Sequence, residues 1–270
     1  MMMRIVLAWV GMMALLACRG GTGPVSCDGD AAGPMRILFI GNSLTYSQGL
    51  PYMVRALADS LGEAPVVEEV AMPDFSLEDH WNDGRAARAI RGGCWNYVVL
   101  QQGPSSRADS RALLLDYAAR FDALVRRQGG RSALYSVWPA ASRRADFDRA
   151  IESYALAADA VDGLLLPAAT AWLEAWEREP GLDLYQDDLH PTQTGAYLAA
   201  LVITARLTGR APAEMPAVFT VQVPGGSGTV RFDPATAATL KAAAQAALER
   251  HPEPFSGLGA GIRGGWDVSF

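Results

Sequence analysis

Lysine is nearly absent from this chain. Lys241 is the single one among 23 Lys and Arg residues, and 29 acidic residues outweigh them, for a formal net charge of −6. With no basic excess and no Lys/Arg stripe, the composition argues against nucleic acid as a partner, and the preference for arginine reads as codon bias in a GC-rich genome. Histidine is scarce as well: His80, His190 and His251 are the only imidazoles, so any general base of that type is one of three residues. Cysteine is limited to Cys18, Cys27 and Cys94. No CxxC and no His/Cys cluster occurs, so neither a metal site nor a cofactor is indicated.

What is abundant is apolar sequence, half of the 270 residues, enough for one globular domain with a sizeable core and a small appendage. The N-terminus stands apart from it. Arg4 precedes an apolar run, Ile5 to Ala17, broken only by Gly11. The run is too short to span a bilayer comfortably and reads as a signal peptide over 1–17. Its end, Leu15-Leu16-Ala17-Cys18, resembles a bacterial lipoprotein box. That resemblance implies cleavage before Cys18, lipidation of its thiol and a membrane-anchored location in the cell envelope, on the periplasmic side of the outer membrane if the cell is Gram-negative. The alternative is an ordinary secretory signal with an incidental Cys. Residues 18–34 are rich in Gly, Ala and small polar side chains and read as a tether. An oxidising compartment permits Cys27 and Cys94 to pair and staple that tether down; two unrelated thiols are the alternative.

From Met35 the chain alternates strand-like and helical stretches. Strands are expected at Met35–Ile40, Pro65–Ala71, Tyr97–Gln102, Ala133–Val137 and Leu164–Leu166. Helices are expected at Leu50–Leu61, Ala108–Gln128, Phe147–Ala160 and Thr192–Leu207. This order predicts an α/β fold, a parallel sheet of about five strands covered by helices on both faces. Val218–Val223 and Thr229–Phe232, flanking Pro224 to Gly228, read as a hairpin, and Asp233-Pro234 opens a last helix to about Arg250. The domain expected over 35–211 is thus followed by an appendage over 212–270 that ends in a loose Gly-rich tail.

Two segments carry chemistry. The first strand ends in Gly41-Asn42-Ser43-Leu44-Thr45, which delivers Ser43 to the carboxyl rim of the sheet, where α/β folds bind ligands. Far downstream stands Asp187-Asp188-Leu189-His190-Pro191. A serine hydroxyl is a poor nucleophile until a base takes its proton. His251 closes the last helix and His80 sits at the start of a helix, which leaves His190 as the base. Residues i and i+3 of a turn share a side, so Asp187 orients the imidazole and Asp188 points away. Taken alone, the second segment is equally a helix cap with a surface His.

Together the two motifs resemble the SGNH (GDSL-like) hydrolases, over about Met35 to Arg210. The resemblance implies a three-layer α/β/α sandwich of flavodoxin-like type. It also implies a Ser43–His190–Asp187 triad acting on acyl or acetyl esters, small or carried on a glycan. In that family the oxyanion is held by the nucleophile's N–H, a Gly N–H after the second strand and an Asn side chain after the third. Here the Gly position falls on Asp74, and no Asn follows the third strand. Gln102, then Gln101, is the expected third donor, with Ser105 the choice of an ungapped register. An acyltransferase on the same residues and a non-catalytic glycan-binding lipoprotein are the competing readings. Trp81, Trp138 and Tyr185 read as core in preference to a sugar platform, and Trp172 with Trp176 as a helix-packing pair.

Overall fold

The structure, a computed structural model, describes residues 33–253. The signal peptide, Cys18, Cys27, most of the tether and the Gly-rich tail therefore lie outside the described residues. Cys94 is disulfide-bonded.

The chain runs β1 (Arg36–Gly41), α1 (Ser43–Tyr46), α2 (Leu50–Ser60), β2 (Val66–Ala71), α3 (Leu77–Asp83), α4 (Arg85–Gly92), β3 (Tyr97–Leu100), α5 (Ala108–Arg127), β4 (Arg131–Tyr135), α6 (Phe147–Ala160), β5 (Leu164–Leu166), α7 (Ala168–Arg178) and α8 (Gln193–Thr208), then β6 (Val218–Val223), β7 (Gly226–Arg231) and α9 (Pro234–Arg250). The first five strands form one all-parallel sheet in the order β2-β1-β3-β4-β5. β1, β3 and β4 are buried almost throughout, as strands covered on both faces require; β1 and β3 are mostly apolar, and in β4 the small Ser132, Ala133, Leu134 and Tyr135 fill the buried positions.

The strand order fixes the layers. The chain steps from β1 to β2 in one direction, then crosses back to β3 and continues outward. Right-handed crossovers therefore put α2 on one face and α3 to α6 on the other. α8 packs with α2, and α7 and α9 with α8, completing the first layer. The reversal leaves a crevice between the carboxyl ends of β1 and β3, where such sheets bind ligands. Ser43 and Gln101 each stand just past one of those ends.

Most expected elements are present with ends moved by one to three residues. α3 is the helix expected to start around His80, whereas α4, eight residues long, had no expected counterpart. α3 is held by a capping box between Ser76 and Asp79, and Gly84, at φ +78°, separates it from α4. The hairpin is tighter than expected. β7 begins at Gly226, because the exposed two-stranded ladder pairs Val223 with Gly226 and needs no side chain there. The appended segment shares the core: Phe219, Val221, Leu240 and Ala244 are buried in the same cluster as Ile37 and Phe39.

Candidate active site

The turn after β1 is fixed from three sides. A Cβ on Gly41 would lie 2.2 Å from Thr45 Oγ1 and 2.3 Å from Gln101 Oε1, so only glycine fits. The Gly41 carbonyl accepts from Met72 N (3.1 Å) and His80 Nε2 (2.7 Å). A carbonyl can only accept, so His80 carries its proton on Nε2. Its ring is fully buried, its Nδ1 has no partner among the described residues, and burial holds its pKa below the usual histidine range. Asn42 caps α1: Oδ1 accepts from Leu44 N (3.1 Å) and Nδ2 donates to Phe75 O (3.1 Å). Ser43, the first residue of α1, is thereby held at the crevice.

The second segment is a turn built on its own carboxylate. Asp187 Oδ1 accepts from Leu189 N and His190 N, both at 2.7 Å, and Oδ2 lies 2.8 Å from His190 Nδ1. The bond from His190 N, then that from Leu189 N and the imidazole, pull the Asp187 carboxyl down to about 2, so it is ionised across the physiological range. An anionic partner makes Nδ1 the protonated nitrogen and leaves Nε2 as acceptor. His190 Nε2 stands 2.9 Å from Ser43 Oγ. Asp188 turns away: its carboxylate accepts from Ser142 N and Oγ, both at 2.8 Å. Trp138 Nε1 holds Leu189 O (2.9 Å), and Tyr185 donates to Pro139 O. Thr192 then caps α8, so the turn precedes the helix instead of forming its first turn.

Three of the expected site residues, Ser43, His190 and Asp187, thus come together as a hydrogen-bonded chain. Asp74 sits in the left-handed region at φ +60°, the backbone setting a glycine would favour. It is exposed, and neither its N–H nor that of Ser43 donates to an acceptor among the described residues.

The glutamines depart from expectation. Gln101 is fully buried. Its Oε1 accepts from Asn42 N (2.9 Å) and Thr45 Oγ1 (2.7 Å), while its Nε2 donates to Asn42 Oδ1 (2.9 Å) and to Gln102 O. Gln102 accepts from Leu77 N (3.2 Å) and donates to Ser105 Oγ (2.8 Å) and Ser110 O (3.1 Å). Each amide has two N–H bonds to give and gives both. Neither Gln101 nor Gln102 has a donor to spare for an oxyanion. Ser105 is buried, and its hydroxyl donates to Gly103 O (3.1 Å).

The aromatic residues are structural. Trp138 is fully buried and stacks on Trp172 at 3.6 Å, Tyr185 meets Trp172 edge-on at 4.8 Å, and Trp81 meets Phe121 edge-on at 5.3 Å. Trp172 and Trp176 also pack edge to face. His251 bonds Thr170 Oγ1 (3.0 Å) below the C-terminus of α9. The clamping roles of Gln101 and His80 were not read from the sequence. Their one signal is place, since Gln101 directly follows the strand beside β1.

No family model matches the sequence, and no curated protein does. Among solved structures, the chain is similar to a protein of Slackia heliotrinireducens that carries the SGNH hydrolase assignment. Identity is 26% over 64% of this chain and 98% of the other, with a TM-score of 0.56. A DUF4886 family protein of Bacteroides uniformis shares the fold at a TM-score of 0.65, 18% identity, 83% of this chain and 98% of its own. The lipase/acylhydrolase of Enterococcus faecalis shares it at 0.52, 20% identity, and 65% and 96%. With its two motifs in order across a five-stranded parallel sheet, the chain has the fold of the SGNH (GDSL-like) hydrolases and resembles them at both motifs.

Proposed function

We propose that the chain is a serine esterase in which Ser43 attacks the acyl carbonyl of an ester. His190 Nε2 takes the hydroxyl proton as the bond forms, and the Asp187 carboxylate balances the imidazolium. The imidazolium then protonates the departing alcohol, and a water activated by the same nitrogen releases the acid from the acyl-enzyme. The observation that carries this reading is the continuous chain Ser43 Oγ to His190 Nε2 at 2.9 Å and His190 Nδ1 to Asp187 Oδ2 at 2.8 Å.

The unspent N–H groups of Ser43 and Asp74 are the natural oxyanion donors. With both glutamine amides committed elsewhere, this hole works with two donors. One missing donor costs a protease about 3–4 kcal/mol of transition-state stabilisation, so the expected enzyme is slow. Short acyl esters, acetyl groups on a glycan among them, are the proposed substrates. Anchoring to the cell envelope through Cys18 is proposed from the sequence and is tested by membrane fractionation of a Cys18→Ser variant. The activity is tested by hydrolysis of a short-chain aryl ester. Ser43→Ala abolishes it on this reading, and full activity in that variant contradicts it.

A further inference from the structure

The triad joins two segments far apart in the chain, and its outer members are open to water: the side chains of His190 and Asp187 are 35% and 53% exposed. Something other than burial has to set the Asp187–His190 turn against Ser43. The turn that follows α1 supplies it. Gln48 lies at φ +57°, ψ +11°, and Gly49 after it at φ +68°, two consecutive left-handed residues. Glycine adopts this conformation freely, whereas a glutamine there is strained. Gln48 is exposed, so no core contact accounts for the strain, and strain of this kind collects where function holds it.

The Gln48 side chain shows what holds it. Nε2 donates to Gln186 Oε1 at 2.7 Å and to Pro191 O at 3.3 Å. Those residues bracket the turn, one just before Asp187 and one just after His190, and they are tied together by Gln186 N donating to His190 O (2.8 Å) and by the Tyr185–Pro191 bridge. One amide five residues after Ser43 thus grips both ends of the segment carrying base and acid. The hairpin backs the turn from behind: Val223 Cγ1 lies 3.4 Å from where a Gly49 Cβ would stand, and Arg55 Nη2 holds Gln222 O at 2.5 Å.

We infer that Gln48 is a positioning residue, whose carboxamide sets the Asp187–His190 turn at bonding distance from Ser43. The inference rests on the esterase reading and adds to it the element that joins the two halves of the site. The test follows covalent labelling of Ser43 by a fluorophosphonate, separating the maximal labelling rate from the probe concentration at half-maximal rate, with thermal melting alongside. Gln48→Gly removes the amide and relieves the backbone, so the melting temperature is expected to hold or rise while the maximal rate falls about 10-fold or more at unchanged half-saturation. Gln48→Glu keeps the length but faces Gln186 Oε1 and Pro191 O with acceptors, and it is expected to fall as far. A Gln48→Gly protein that labels within about twofold of the wild type overturns this inference alone. A wild type that does not label at Ser43 overturns the esterase reading and this inference with it.

Discussion

Replacing Gln101 by leucine removes four hydrogen bonds from a site with no solvent to replace them. The loss divides unevenly. Gln102 O keeps its bond from the Tyr154 hydroxyl (2.7 Å), and Asn42 Oδ1 keeps Leu44 N (3.1 Å). Asn42 N and the Thr45 hydroxyl lose their buried partner, and Thr45 is fully buried. An unsatisfied buried polar group costs about 1–3 kcal/mol, so Gln101→Leu should destabilise by about 2–6 kcal/mol, a large part of an ordinary domain's 5–15 kcal/mol, roughly speaking. Gln101→Glu keeps the acceptor. Burial raises the new carboxyl's pKa, so the folded state holds a proton that the unfolded state releases above about 4.3. Stability then falls as pH rises from that point to the folded pKa. Denaturant titration at several pH values measures both variants. A Gln101→Leu protein as stable as the wild type but unlabelled at Ser43 would refute the clamp and return Gln101 to the role of oxyanion donor.

Gly41→Ala drives a Cβ into Thr45 Oγ1 and Gln101 Oε1 at 2.2 and 2.3 Å. It should cost several-fold more in labelling rate than Gly62→Ala, which has open space and only its own φ of +87° to strain it; equal rates in the two contradict the packing described. Asp74→Gly relieves a left-handed non-glycine residue, worth about 1 kcal/mol, and keeps the N–H, so melting temperature should rise with labelling retained; loss of labelling would show that the Asp74 side chain takes part. His80 is buried with a lowered pKa, so acidification must force a proton onto it in the folded state only after the unfolded chain has taken one at about 6.5. Stability should therefore decline as pH falls below that value, with His251 adding in the same sense, and His80→Phe should flatten the decline; an unchanged slope in that variant refutes the assignment.

The parallel sheet was legible because short apolar runs, continuous in β1, β3 and β5 and interrupted in β2 and β4, alternate with helical stretches, and α5, α6 and α9 because their apolar spacing or capping residues are unambiguous. Ser43, Asp187 and His190 could be singled out for a different reason. A chain with three histidines leaves few combinations, and a carboxylate three residues from His190 can reach its ring through a local turn. The oxyanion donors were less legible, since they depend on tertiary bonding that no local pattern reports. Gln101 and Gln102 look alike in sequence as amides past a strand end, and only the acceptors supplied by Asn42 Oδ1, the Gln102 carbonyl, Ser105 Oγ and Ser110 O show that both sets of N–H groups are spent. Asp74 looked unsuited to a glycine position, yet its backbone reaches φ +60°. Gln48 gave no signal, because its left-handed backbone and its bonds to Gln186 and Pro191 belong to the folded chain alone.

The central claim is that Ser43 is a nucleophile activated by His190. Incubating the folded protein with a fluorophosphonate and mapping the adduct by peptide mass spectrometry tests it without a choice of substrate. The account predicts one adduct, on Ser43, lost in Ser43→Ala and slowed by orders of magnitude in His190→Ala. An unmodified Ser43 in folded protein, or labelling that survives His190→Ala at the wild-type rate, would contradict it.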